Sequence, residues 1–159
     1  MPADSYLSLL AKKQIESIVR KIRSNSALAP LDIMELSDKD LDLIYSMAHT
    51  FYDAGKYEKA KALFLKLIFT APFIAAYWKA LGCTSQMQNE TKESVIYYSV
   101  ALLIDPSDPS LHLYAAKALI DLNRFEEARG ALVKAEELAP KEDLDFHSEL
   151  EVLYERCSY

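Results

Sequence analysis

Large apolar residues recur along this chain three and four positions apart, the spacing of a helix with one buried face, and the strand-like alternation of Val, Ile and Thr is hard to find. The apolar runs "ALFLKLIFTAP", "YYSVALLIDP" and "ALVKAEELAP" each close on a proline, and Pro72, Pro106 and Pro140 stand 34 residues apart. Proline lacks the backbone N–H and its ring collides with the preceding turn, so each of the three ends a helix. The stretch "FYDAGKYEKAKALF" (51–64) then reads as the turn of a helical hairpin, with a glycine between two apolar segments.

Counting back from the prolines gives units 41–74, 75–108 and 109–142, and other positions recur in phase with them. The fourth position holds Ile44, Trp78 and His112. The seventh and eighth hold Met47-Ala48, Leu81-Gly82 and Ala115-Ala116. The twentieth, where two helices cross and only a small side chain fits, holds Ala60, Ser94 and Ala128. The twenty-fourth holds Phe64, Tyr98 and Leu132, and the twenty-seventh Leu67, Ala101 and Ala135. A 34-residue period with this alternation of large and small identifies three tetratricopeptide repeats, each a helical hairpin. Asp53-Ala54-Gly55 offers a left-handed glycine after the first helix, and Asp108-Pro109 a capping carboxylate ahead of a proline at the first helical position. Ser37 to Asp40 resembles a capping box with Asp in the usual Glu place. Gly130 falls inside a predicted helix, where the pattern gives no reason for it.

Two flanking segments complete the layout. Residues 143–159 carry a helix over 143–157, with Phe146, Leu150, Leu153 and Cys157 on one face to cover the open end of the stack. Residues 1–36 carry an amphipathic helix over 5–23 and then "SNSALAPLDIMELSD", a loop with at most one helical turn. The fold expected is all-α: a short superhelical solenoid of three repeats over 37–142, with an amino-terminal helix and a carboxy-terminal capping helix.

Composition narrows the function more than the fold. Over 159 residues the apolar fraction is 51%, ordinary for a packed domain, and only three residues are glycine. The net charge is −6, although residues 1–30 hold five basic residues (Lys12, Lys13, Arg20, Lys21, Arg23) against Asp4 and Glu16. An acidic body is a poor surface for phosphate, so nucleic acid is not the expected partner. No apolar run approaches a membrane span, so stable membrane insertion is not expected. The amino terminus lacks the order of a signal peptide, and Cys83 and Cys157 read as reduced thiols, so a cytoplasmic protein is expected.

Catalytic chemistry finds no foothold. His49, His112 and His147 form no metal motif, and His112 sits at a packed repeat position. "DKDLD" (38–42) gathers carboxylates, but a calcium loop would need glycine at its sixth place and glutamate at its twelfth, where Leu43 and His49 stand. No phosphate-cradling glycine loop and no nucleophile elbow is present. The expectation is no enzyme, no metal and no cofactor.

What remains is a surface. In this repeat the first helix of each pair lines a concave groove. The groove positions include Tyr45, His49 and Tyr52 in unit one, Ala76, Lys79, Ala80, Cys83 and Gln86 in unit two, and Tyr114 and Lys117 in unit three. Tyrosines there suit an extended peptide, because the ring gives apolar area at low entropy cost while the hydroxyl can bond peptide backbone. Small residues between them leave room for Pro or Leu side chains.

The stretches "IYSMAHTFYDAGKYEKAKALFLKLIFTAP", "AYWKALGCTSQM" and "LYAAKAL" resemble the class II chaperones of bacterial type III secretion, over about residues 30–140. The most specific part is the Tyr-rich pattern before the glycine turn, here Tyr45, Ala48, His49 and Tyr52. The resemblance implies a cytosolic chaperone whose groove takes a Pro-x-Leu-x-x-Pro-like segment of a hydrophobic translocator protein, with Tyr45, His49 and Tyr52 as the first wall and Lys79, Cys83 and Gln86 continuing it. It also implies a homodimer in the absence of client, through the amino-terminal helix. Two positions depart from the family: His49 replaces the usual Tyr, and Lys117 stands where an acidic residue is common. The alternative is a generic repeat adaptor binding a folded partner or a peptide terminus, which usually needs a clamp of basic residues. For the amino-terminal helix, a dimer seam through Leu7, Leu10, Ile15, Ile18 and Ile22 competes with a basic face lying on anionic lipid.

Overall fold

The computed structural model describes residues 7–26 and 35–158, and among these all regular structure is helical. In order the helices are α1 (Leu9–Ser24), α2 (Asp38–Asp53), α3 (Tyr57–Thr70), α4 (Ala75–Met87), α5 (Thr91–Ile104), α6 (Pro109–Asp121), α7 (Phe125–Leu138) and α8 (Leu144–Arg156). Residues 5 and 6 of the expected first helix, and residues 27–34 of the expected loop, lie outside the described residues. The three repeats are the hairpins α2/α3, α4/α5 and α6/α7, stacked in chain order, with α1 packed against α3 and α8 against α6 and α7.

Each hairpin turns in the same way. Gly55, Asn89 and Asn123, 34 residues apart, take left-handed backbone at φ 72°, 61° and 58°. The next residue then donates its N–H back five places, from Lys56 to Phe51 (2.8 Å), Glu90 to Ser85 (2.9 Å) and Arg124 to Leu119 (2.9 Å). This is the Schellman closure, in which a residue free to adopt positive φ satisfies carbonyls the helix leaves open. Helix starts are equally local. Ser37 and Asp40 form a reciprocal capping box, and Asp108 accepts from the Ser110 N–H at 2.8 Å ahead of Pro109.

The repeat positions sort by burial as their sizes require. Ala60, Ser94 and Ala128 are fully buried where the hairpins cross, and so are Phe64, Tyr98 and Leu132 one turn further on. Gly82 is set by proximity: a Cβ there would lie 2.4 Å from the Tyr98 ring. At Gly130 a Cβ would meet nothing within 4 Å. Met47, expected to repeat a packed position, is instead exposed, and Ala48 beside it takes the buried place.

A second repeated bond links successive hairpins. Trp78 donates its indole N–H to the Pro72 carbonyl (2.7 Å), and His112 Nε2 donates to the Pro106 carbonyl (2.9 Å). His147 does the same to Pro140 at 3.0 Å. Each proline ends one hairpin and offers its carbonyl to a ring N–H near the start of the next helix. His112 is thus half-buried and held by backbone, as its repeat position implies.

Two apolar clusters meet at α6. Leu111, Ala115 and Ala118 face the cluster shared with α1–α5, while Leu113, Ala116, Leu119 and Ile120 face the one closed by α8 through Leu150, Leu153 and Cys157. Burying Leu150 and Leu153 contributes about 1.5–3 kcal/mol each by apolar transfer. At the other end α1 lies against α3. Ile15 is completely buried in the chain's own core, with Val19 beside it and Leu7, Ile18 and Ile22 half-buried against the same cluster. Lys12 lies over the Phe73 ring at 5.9 Å and Arg23 over Phe69 at 5.1 Å. Of the residues read as a seam only Leu10, 67% exposed, remains open, together with Leu9 at 70%. The inner part of the stripe packs on its own protomer.

Candidate functional site

The first helices of the three hairpins line one hollow of about 460 Å³, within the usual range for a ligand site. From α2 come Tyr45, His49 and Tyr52, which share one face because they are four and three residues apart. From α4 come Ala76, Lys79, Ala80 and Cys83 at the same spacing, and from α6 come Leu111 and Tyr114. Phe64 of α3 closes the base, and Asp105 and Asp108 stand at the edge where α5 passes into α6.

The wall nearest α2 is a set of aromatic contacts. The Tyr45 ring meets His49 edge-on at 4.4 Å, Phe64 at 6.0 Å and Tyr77 at 5.4 Å. His49 meets Phe64 at 5.4 Å, and Tyr52 meets Tyr57 at 5.4 Å. Among the described residues the hydroxyls of Tyr45 and Tyr52 have no hydrogen-bond partner. Burial raises the pKa of both phenols, so they stay protonated donors at neutral pH.

The opposite wall is braced. The Tyr98 hydroxyl donates to Gln86 Oε1 at 2.5 Å and lies 3.4 Å from Cys83 Sγ, while its ring stacks on Tyr114 at 6.0 Å. Burial drives the Tyr98 phenol well above its ordinary value and also raises the Cys83 thiol. A thiol held protonated is a weak nucleophile. Lys79 bonds Asp108 at 3.0 Å and the Ser110 hydroxyl at 2.6 Å, and its ammonium lies 5.5 Å from the Tyr114 ring centre. Lys117 lies over the same ring at 5.3 Å and pairs with Glu149 of α8.

Of the eight groove residues read from the sequence, Tyr45, His49, Tyr52, Lys79, Cys83 and Tyr114 stand together in the hollow, whereas Gln86 and Lys117 do not line it. Gln86 is engaged by Tyr98, and Lys117 is drawn toward α8. Phe64, Leu111, Asp105 and Asp108 were not read as part of it. Leu111 carried a usable signal, lying three residues before Tyr114 on the same helix face. Among the described residues no cluster of His, Cys, Asp or Glu could hold a metal ion. The arrangement offers apolar ring faces, small gaps at Ala76 and Ala80, and open phenol donors, which is equipment for gripping a chain.

Known proteins share both the repeat and its arrangement. A tetratricopeptide repeat family model matches residues 41–68. The low calcium response locus protein H of Yersinia pestis is 29% identical over 104 residues, covering 65% of this chain and 62% of that protein. The type III secretion translocator chaperone SycD of Yersinia enterocolitica superposes with a TM-score of 0.74 at 25% identity, over 78% of this chain and 87% of that one. The fold is that of a type III secretion translocator chaperone. The resemblance carried by the first repeat holds. SycD in complex with a peptide of the translocator YopD gives the same TM-score of 0.74, at 24% identity over 79% of this chain and 97% of that one. The match to the Yersinia pestis protein leaves more than a third of its length uncovered.

Proposed function

We propose that this protein is a cytoplasmic chaperone of a bacterial type III secretion system, and that the hollow between α2, α4 and α6 holds an extended, largely apolar segment of a translocator protein. The observation that carries the reading is an aromatic-walled hollow with small residues, Ala76 and Ala80, among its lining, on a fold whose solved relative SycD holds a translocator peptide. A client with membrane-inserting segments needs its apolar surface covered before export. Such cover requires affinity and release, with no catalysis.

Contacts already made in the free protein suit this task. Tyr45 and His49 are held by Phe64 and Tyr77 before any peptide arrives, so binding costs less side-chain entropy. Pro or Leu side chains of a Pro-x-Leu-x-x-Pro-like segment fit above Ala76 and Ala80, and the open phenols can bond the peptide backbone. The adaptor reading, in which the groove captures a chain terminus, is disfavoured because Lys79 and Lys117 are both engaged by carboxylates. No helix among the described residues is long and apolar enough to cross a membrane. Without client the protein is a homodimer in this reading, through α1, where Leu10 alone of the expected seam stands 67% exposed.

Fluorescence anisotropy of a labelled Pro-x-Leu-x-x-Pro peptide tests the site, with wild type beside a Tyr45→Ala, Tyr52→Ala double variant whose helicity is verified by circular dichroism. Saturable binding that the variant loses is expected. No binding to folded wild type would move the function to the adaptor reading.

A further inference from the structure

The hollow is apolar along its aromatic wall and charged at its edge. Two carboxylates, Asp105 and Asp108, and one ammonium, Lys79, line it. Both carboxylates stand where α4 and α6 begin, beside a lining that includes Ala75 and Ala76 from the first turn of α4. Lys79 is committed to Asp108 at 3.0 Å and to the Ser110 hydroxyl at 2.6 Å, so those two charges answer each other. Asp105 is left over. Its Oδ1 accepts from the N–H and the hydroxyl of Ser107, at 3.1 and 2.6 Å, and its Oδ2 accepts nothing among the described residues. Nor does Asp105 make an ion pair there.

The repeat shows how unusual this carboxylate is. The thirty-first position of the three units holds Ala71, Asp105 and Ala139, and each caps the carboxy-terminal end of its hairpin's second helix. Only in unit two is that cap charged. The carboxy-terminal end of a helix carries partial negative charge on its open carbonyls, and a cation suits it where a carboxylate does not. No basic residue stands in the last turn of α5. Like charges are therefore set together at the rim of the hollow, with the carboxylate already half-buried. The turn to Ser107 does not demand the charge, since an asparagine Oδ1 would accept the same two bonds.

A segment lying across this edge covers Asp105. Apolar side chains alone would take an unpaired carboxylate out of water, which opposes binding. A lysine or arginine at that point replaces the loss with a charge-assisted hydrogen bond, and it also faces the carbonyl end of α5. An acidic residue there would meet two negative groups and be rejected.

We infer that Asp105 sets a charge requirement on the client: the segment held by the hollow carries a lysine or arginine just outside its apolar anchors, paired with the open oxygen of Asp105. This rests on the client groove of the proposed function and narrows what that groove accepts.

Fluorescence anisotropy tests it with labelled Pro-x-Leu-x-x-Pro peptides that carry Lys, Ala or Glu directly before the first proline or directly after the second. Both places are read because the direction of the peptide decides which of them meets Asp105. At one place Lys is expected to bind about five-fold more tightly than Ala, and Glu more weakly than Ala, with the spread shrinking as salt is raised. Asp105→Asn, which keeps the bonds to Ser107, should bring the Lys-to-Glu affinity ratio at that place toward one. Asp105→Lys should invert it. Circular dichroism verifies the fold of both variants. A Lys preference that is equal at both places and survives Asp105→Asn would reflect only the net charge of the protein and would overturn the assignment. Binding of the Ala peptides with no preference at either place would overturn it too, while leaving the groove standing. No binding of any peptide to folded wild type would overturn the groove and this inference together.

Discussion

Two glycines in helix interiors make opposite predictions from the same substitution. At Gly82 an added Cβ would stand 2.4, 2.6 and 2.8 Å from Cε1, Cδ1 and Cζ of Tyr98, well inside any real carbon contact. That ring cannot simply swing away. It is fully buried, stacked on Tyr114, and tied through its hydroxyl to Gln86 at 2.5 Å. Overpacking a well-filled core costs about 1–3 kcal/mol, and the rigidity here argues for the upper end. Alanine recovers about 1 kcal/mol over glycine in helix propensity. Gly82→Ala should therefore destabilise by about 2 kcal/mol, the difference of these two effects. At Gly130 the overpacking cost vanishes, because nothing lies within 4 Å, so Gly130→Ala should stabilise by about 1 kcal/mol.

Urea denaturation followed by circular dichroism reads both. A 1 kcal/mol change shifts the melting midpoint by roughly 2–4 °C in a chain of this length, so thermal scans give a second measure. A suppressor sharpens the test: Tyr98→Leu, although costly alone, removes the colliding ring, and in that background Gly82→Ala should become neutral or favourable. The reasoning is refuted if Gly82→Ala is as stable as Gly130→Ala, or if its cost is unchanged when Tyr98 is replaced.

Two further predictions concern a turn and a cap. Asn89→Ala should cost about 1 kcal/mol, because an ordinary side chain is strained at the left-handed φ of 61° that this turn needs; Asn89→Gly should show no such loss in the same urea titration. At Asp108, burial pulls the carboxyl pKa upward, but bonds from Ser110 and Lys79 outweigh it and hold the group below its ordinary 3.8. Its folded-state pKa being the lower, the stabilisation is present above pH 3.8 and is lost as pH falls through the folded value. Asp108→Asn, which can still cap α6, should flatten the acid limb of a stability-against-pH curve measured by urea midpoint, and an unchanged limb would remove Asp108 from the account.

The repeats were legible because each recurring residue does one job that its chemistry announces: proline stops a helix, and alanine or serine lets two helices cross. Gly55 announced its turn in the same way. Asn89 and Asn123 did not, since asparagine is common in loops of every kind and its left-handed backbone shows only in the fold, although the interval of 34 from Gly55 was there to be read. The ring N–H bonds to Pro72, Pro106 and Pro140 were hidden for a related reason. Trp78 and His112 look like ordinary packed rings until the carbonyl six residues earlier is brought alongside. Gln86 and Lys117 show the limit of positional reasoning: repeat register gives a helix face, but Tyr98 and Glu149 decide where those flexible side chains end. The α1 stripe shows another limit, because amphipathic spacing reads the same whether the apolar face meets the chain's own core or a partner.

The extent of the hollow follows from one repeat position. The twenty-fourth residue of each unit pins a hairpin shut, and in units one and two it also supports the site. Phe64 lies under Tyr45 and His49, while Tyr98 bears on Tyr114, Cys83 and Gln86. In unit three the position holds Leu132, buried in the second cluster and without a flat ring to prop an aromatic wall. The hollow accordingly draws on α2 and α4, takes Leu111 and Tyr114 from the early part of α6, and includes nothing from α7. Stability and grip are therefore coupled in the first two repeats, since the side chains that lock the hairpins also fix the walls, whereas the cluster around Leu132 in the third repeat shares no residue with the hollow.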